Sequence, residues 1–164
     1  IGHELHHSYR WGYLREKYKD SGVCAAALSM MQSEGCADIL NKFEGPYSMK
    51  DAGRFRWRCA ETDERKLLQY AEATAKDRFF DGGLLERNSG RRCLWQVAKL
   101  PVNGGHPNGF YMATLIKHQL GLQAIADNSV EPVMFVETYN KAARKAGDEY
   151  VFTDEFVAYV KTTV

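Results

Sequence analysis

The sequence lacks a long hydrophobic run, a strong net charge and closely spaced cysteines. No apolar stretch approaches the ~18 residues that a membrane-spanning helix needs, so we predict no membrane span. The 22 Lys and Arg residues nearly balance the 21 Asp and Glu residues, which gives a formal net charge of +1. This balance argues against a nucleic-acid partner. The start of the chain also lacks the basic and apolar segments of a secretory signal.

The four cysteines, Cys24, Cys36, Cys59 and Cys93, form no CxxC pair, which argues against a zinc ribbon. Their even number permits two disulfides, and buried free thiols are equally compatible with the spacing. The compartment therefore stays open, an extracytoplasmic bacterial location included. Because the chain begins abruptly at Ile1, we expect it to be the C-terminal part of a longer protein. The sequence does not indicate an oligomeric state.

Helical patterns dominate, and they predict one mostly helical domain over residues 1–164. The hydrophobic content of 45% is enough for a core of its own. The predicted helices are Cys24–Lys42, a segment that begins after Thr62, a segment that Pro107 opens and Gly121 ends, Pro132–Ala146, and a short segment after Thr153. Cys93–Leu100 is a candidate strand. A turn-rich loop, NGGHPNG, is predicted over residues 103–109.

The opening stretch GHELHHSYR holds three of the five histidines, and His3, Glu4 and His7 match the pattern H-E-x-x-H. Residues four apart share one face of a helix, so His3 and His7 can hold one Zn²⁺ through their ring nitrogens. Glu4 can then accept a proton from an activated water molecule. A solvated helix end is the alternative reading. His6 stays open between an outer hydrogen-bond donor, a group on the substrate side, a fourth ligand and an exposed residue.

A catalytic zinc ion usually has three protein ligands, and the segment MMQSEGCADIL offers a third. The helical pattern places Glu34 among apolar positions and Asp38 on the same face one turn later. It places Ser29, Gln32 and Ser33 on the other side. Carboxylates that face a core need a positive partner. Glu34 as a zinc ligand, with Asp38 accepting the second ring N–H of a ligating histidine, would meet that need.

Gly35 follows the glutamate and would let a neighbouring helix approach closely. The alternative for the acidic pair is an arginine partner, such as Arg15 or Arg54. The segment RFRWRC, residues 54–59, is short, and we interpret it as an amphipathic strand or a substrate rim rather than a nucleic-acid surface.

H-E-x-x-H and the later E-G-x-A-D together resemble the gluzincin class of zinc metallopeptidases, whose third ligand is a helical glutamate followed four positions later by an acidic residue. The phrases SEGCADIL and HPNGFYMATLI are most similar to uncharacterised bacterial families of zinc-dependent peptidases. The resemblance implies His3, His7 and Glu34 as zinc ligands, Glu4 as general base and Asp38 as the outer partner of a ligand.

The resemblance covers residues 2–116, and it also implies a fold class and a substrate. The expected fold is mainly α, a helical zincin-like (gluzincin) domain that lacks or truncates the β-sheet which precedes the active-site helix in gluzincins. The expected partner is a peptide or protein substrate.

Peptide hydrolysis builds negative charge on the carbonyl oxygen, so a hydrogen-bond donor should face the metal. The resemblance implies that a downstream tyrosine or histidine, here Tyr111 or His106, has this role. Tyr111 also fits an apolar stripe of its helix, which favours a core position. His118, near the end of that helix, is better explained by interaction with the helix dipole.

Three functions stay open on the sequence alone. The first is a zinc-dependent peptidase. The second is a zinc-stabilised binding module without catalysis, derived from a peptidase. The third is a metal-free helical interaction domain in which the histidine cluster is accidental.

Overall fold

The computed structural model of the chain describes residues 2–17, 22–41, 65, 68–69, 105–148 and 151–164. Within these ranges the chain forms six helices with defined bounds, residues 65 and 68–69 are also helical, and there is no strand. The six helices are α1 (Gly2–Lys17), α2 (Val23–Asn41), α3 (His106–Leu120), α4 (Leu122–Asp127), α5 (Pro132–Ala146) and α6 (Asp154–Lys161). The prediction of a mainly helical chain is confirmed for this part of the sequence. The gluzincin fold itself stays a prediction.

The ends of the later helices follow local signals in the sequence. Helix α5 ends at Gly147, which adopts a left-handed φ of 70° and donates its amide to carbonyls of the last turn. Helix α6 begins after Thr153, whose side chain accepts a hydrogen bond from the amide of Phe156. Helix α3 ends at Gly121, as predicted. The predicted bounds of α2 are correct to within one residue at each end.

The predicted loop over residues 103–109 is wrong for its second half, because α3 already begins at His106. Gly105 makes the turn before the helix with a left-handed φ of 96°. Pro107 then lies in the first turn, where a missing backbone N–H costs nothing. His106 is therefore held on a helix rather than on a glycine loop.

Helix α2 lies at the centre of the described structure and contacts α1, α3 and α5. Helix α3 also contacts α4 and α5, and α6 packs against α5. The buried apolar core comes mainly from α2, α3, α5 and α6. A chain of aromatic ring contacts runs through it, with members Tyr111, Tyr139, Phe152 and Phe156. The core therefore fixes α2 and α3, the two helices that carry the acidic pair and His106.

Helices α2 and α3 approach each other through glycines. A Cβ added at Gly35 would collide with the backbone of Gly109, and one added at Gly109 would collide with the carbonyl of Met31. The predicted role of Gly35 in a close helix approach is confirmed, and Gly109 is its counterpart on α3. This contact brings the start of α3 beside the acidic residues of α2.

Cys24 and Cys36 are buried free thiols, and burial raises the pKa of each to about 12. Among the described residues, no helix is long and apolar enough to cross a membrane. Several predicted features lie outside the described residues. They are the helix start at Thr62, the strand Cys93–Leu100, the segment 54–59 with Arg54, the side chain of Arg15, and Cys59 and Cys93.

Candidate metal centre

Helix α1 places His3 and His7 one turn apart, and both imidazoles meet Glu34 of α2. The two Nε2 atoms are 3.0 Å apart. The Oε2 atom of Glu34 lies 3.4 Å from Nε2 of His7 and 3.6 Å from Nε2 of His3. All three side chains are partly exposed, with 19% to 27% of their surface open to solvent. The three predicted ligands are therefore brought together at a position that solvent reaches.

The donor set fits a zinc ion. Ligand atoms that lie 2.0–2.1 Å from a tetrahedral zinc ion are about 3.3 Å from one another, and the three distances observed here are 3.0, 3.4 and 3.6 Å. Two imidazole nitrogens and one carboxylate oxygen are also ligand types that zinc prefers. His3, His7 and Glu34 form a cluster whose ligand atoms lie mutually within 4.8 Å, a suitable arrangement for one metal ion.

Ser33 orients one of these imidazoles, although the helical pattern placed it on the far side of α2. Its Oγ lies 2.9 Å from Nδ1 of His7. When Nδ1 of His7 donates to this hydroxyl, the lone pair of Nε2 is directed at Glu34 and His3. Lone pairs and a carboxylate oxygen that converge in this way repel one another unless a proton or a metal ion lies between them.

Asp38 and His106 form a second layer beside the three candidate ligands. Asp38 is 2% exposed, its Oδ1 lies 3.6 Å from Nδ1 of His3, and its Oδ2 lies 3.1 Å from Nδ1 of His106. Nε2 of His106 is 3.2 Å from Oε2 of Glu34. The rings of His3 and His106 are nearly parallel, at 12°, with centroids 5.9 Å apart. Two imidazoles thus span the carboxylates of Glu34 and Asp38, which lie one helical turn apart.

Glu4 and His6 lie between His3 and His7 in the sequence and flank that pair on opposite sides around the axis of α1. Glu4 is exposed and adjacent to His3, and so open to a substrate. His6 is half-buried, and its Nε2 has no hydrogen-bond partner among the described residues. Burial, followed by the positive charge of Arg10 and by the neighbouring histidines, lowers the pKa of His6 to about 4. His6 is therefore neutral near pH 7.

The structure does not bring Tyr111 to the candidate ligands. Tyr111 is 2% exposed, its ring contacts Tyr139, and its hydroxyl donates to Asp148. It lies two residues after Gly109, and therefore about 200° round the helix from the face that meets α2. His118 is exposed in the last turn of α3, the position expected for a helix-dipole partner. Of the two predicted oxyanion donors, His106 is the one that reaches the site.

Comparison with known families matches most of the chain. The model of one family, DUF5700, described as "Putative zinc dependent peptidase", matches residues 1–148. That range includes all the residues of the cluster on α1, α2 and α3. No curated protein matches the chain, and no solved structure matches it.

Proposed function

The chain belongs to the DUF5700 family, and from that premise we propose that it hydrolyses peptide bonds at a zinc ion held by His3, His7 and Glu34. The observation that carries the proposal is the convergence of two Nε2 atoms and one carboxylate oxygen within 3.0 to 3.6 Å of one another. These residues come from two different helices, so their convergence is a property of the tertiary structure and not of one local motif.

A zinc ion bound by these residues would supply Lewis acidity, which lowers the pKa of water and polarises a carbonyl group. Glu4 is the general base of the proposed reaction. It is exposed beside His3, where it can accept the proton of the attacking water and pass it to the leaving amine. General acid–base catalysis of this kind contributes about 10²- to 10⁴-fold to the rate.

His106 is the donor that we propose for the carbonyl oxygen of the substrate. Asp38 lies 3.1 Å from Nδ1 of His106 and orients its ring. The side chain of His106 is 43% exposed. With Nδ1–H of His106 donating to Asp38, Nε2 carries a hydrogen only in the imidazolium form of the ring. In that form, an Nε2–H directed at the developing negative charge would stabilise the transition state more than the ground state. Tyr111 does not have this role in the proposal, because its hydroxyl is engaged with Asp148 in the core.

One observation favours a second candidate, a structural zinc site in a non-catalytic binding module. Nε2 of His106 lies 3.2 Å from Oε2 of Glu34, and a side-chain rotation that brought this nitrogen within reach of the ion as well would make His106 a fourth ligand. Zinc sites with four protein ligands are structural, because no position remains for water. The two candidates therefore differ in what His106 does.

Glu4→Gln tests the proposed reaction, and Glu155→Gln on α6, also an exposed first-turn glutamate, is the matched control. We expect the wild type, loaded with excess zinc and desalted, to hold one equivalent and to cleave members of a peptide mixture detected by mass spectrometry. Glu4→Gln should keep its zinc and lose at least about 10²-fold in rate. The control should match the wild type in both measurements.

Other outcomes would decide between the candidates. Less than one equivalent of zinc on the wild type would refute both zinc proposals and leave a metal-free helical domain. One equivalent without cleavage, together with loss of zinc in His106→Ala, would support the structural site. A Glu4→Gln variant that cleaves as fast as the wild type would show that Glu4 is not the base.

A further inference from the structure

A buried polar network lies one helical turn from the candidate ligands and is not used by the proposed reaction. Arg10 of α1 is 5% exposed, and its Nη2 donates to Gln32 Oε1 and, at 3.1 Å, to Ser29 Oγ. Its Nε donates to the carbonyl of Ser129 at 3.2 Å. Gln32 is fully buried, and its Nε2 donates to the carbonyl of Asn128. The network thus joins α1, α2 and the α4–α5 connection.

The described side chains of α1 add little apolar burial. None of those side chains, from Gly2 to Arg10 and at Tyr13, belongs to the buried apolar core. The large apolar residues among them are exposed, at 62% for Leu5, 75% for Tyr9 and 49% for Tyr13. Hydrophobic burial of these residues therefore cannot hold α1 in position on α2.

The network occupies the positions that determine how α1 lies on α2. Arg10 comes three residues after His7 and seven after His3, so it shares their side of α1. Gln32 comes two residues before Glu34 on α2. A slip of one residue along a helix moves a side chain by about 1.5 Å and turns it by about 100°. Metal coordination tolerates only about 0.2 Å, so the register of the two helices decides whether the cluster can bind an ion.

We propose that Arg10 is a positioning residue that sets the register of α1 on α2 through Ser29, Gln32 and the Ser129 carbonyl, and thereby forms the metal site in advance of metal binding. The proposal rests on the proposed function, because it concerns the same site. An arginine suits the role because its planar fork reaches acceptors on two segments at once. A lysine presents a single ammonium group and cannot reproduce that geometry.

Arg10→Met and Arg10→Lys test the proposal, with Asn140→Ala as the matched control. Asn140 is also a buried polar residue, and it lies on α5, far along the chain from α1. Its side chain forms hydrogen bonds of 2.8 and 2.9 Å with the backbone of Phe152. We expect Arg10→Met to weaken zinc binding by about tenfold or more in competition with a chromophoric chelator. Arg10→Lys should lie between Arg10→Met and the wild type. Asn140→Ala should lower the melting temperature and leave zinc affinity unchanged.

Hydrogen exchange of the zinc-free proteins separates this proposal from the proposed function. Amide exchange in α1 should be faster in Arg10→Met and unchanged in Asn140→Ala. If the wild type binds no zinc, the proposed function fails, while the exchange of α1 still decides whether Arg10 positions the helix. If the α1 amides of Arg10→Met exchange at the same rate as those of the wild type, the proposal is overturned. An equal loss of zinc affinity in Asn140→Ala would also overturn it, since the effect would then be general destabilisation. If Arg10→Met does not fold, Ser29→Ala and Arg10→Lys provide the same readouts.

Discussion

Helices α1 and α5 both contact α2, but the two contacts differ in kind. Helix α5 contributes apolar side chains to the common core, with Phe135 and Tyr139 fully buried. Among the α1 side chains that the structure describes, the buried one is Arg10. These described side chains meet α2 through hydrogen bonds and through the imidazoles that face Glu34.

The difference follows from what each contact has to achieve. Apolar burial is non-directional and stabilises in proportion to area, without fixing one distance closely. A metal site needs donor atoms placed to within about 0.2 Å and a path for the ligand. Directional polar contacts meet the first need, and a helix left partly open meets the second. We therefore expect variants in α5 to change the stability of the domain, and variants in the α1–α2 contact to change metal binding.

The largest effect expected from this comparison is on stability. Phe135→Ala removes a fully buried ring from α5 and should lower the free energy of unfolding by about 3–5 kcal/mol. Tyr9→Ala removes an aromatic ring of α1 that is 75% exposed, and it should change the free energy of unfolding by less than about 0.5 kcal/mol. Urea denaturation of the zinc-free proteins measures both. Equal losses would mean that α1 is attached by apolar packing after all.

Gly35→Ala tests the comparison at a residue that follows Glu34 in the sequence but takes part in the packing of α2 against α3. Its new Cβ would collide with the backbone of Gly109, so α2 and α3 must separate, at the cost of about 1–3 kcal/mol that is typical of overpacking. The separation should also move His106 away from Asp38. Gly2→Ala on α1 is the control, because its Cβ would meet nothing within 4 Å. Thermal unfolding measures the difference, and a Gly35→Ala protein as stable as the control would contradict the close approach of the two helices.

The helix pattern predicted much of the fold because its signals are local. Pro132 and Gly147 bound α5 as expected, and Thr153 caps α6. The spacing of His3 and His7 also predicted that these two imidazoles share one face of α1, since residues four apart do so whatever the tertiary structure. Glu34 was predicted from its place among the apolar positions of α2 and from the gluzincin resemblance.

The polar neighbours of the site could not be predicted in the same way. A helical pattern assumes one buried face, and α2 is covered by α1, α3 and α5, so Gln32 and Ser33 meet other helices where solvent was expected. Two signals conflicted around His106, because the Gly and Asn residues predicted a loop over residues 103–109 while Pro107 predicted a helix start, which is correct to within one residue. Gly109 instead lies within α3, where the absence of a side chain permits contact with α2. The spacing of Arg10 from His3 and His7 was a usable signal for its side of α1, but not for its partners.

The smallest effect that we expect comes from Ser33→Ala, which removes the hydroxyl facing Nδ1 of His7 and leaves the core intact. Outer partners of metal-binding histidines are worth about 10- to 100-fold in affinity. Because a serine hydroxyl is a neutral acceptor, we expect the lower end, about tenfold weaker zinc binding. The free energy of unfolding without zinc should change by less than about 0.5 kcal/mol.

Ser8→Ala is the matched control, because the Ser8 hydroxyl is exposed and donates to the carbonyl of Glu4 within α1 itself. Competition titration with a chelator should give this variant the affinity of the wild type. If Ser33→Ala also binds zinc as tightly as the wild type, the helix backbone alone orients His7. The hydrogen bond between Ser33 and His7 would then not help to position α1 on α2. In that case Arg10 alone would distinguish the polar α1–α2 contact from the apolar α5–α2 contact.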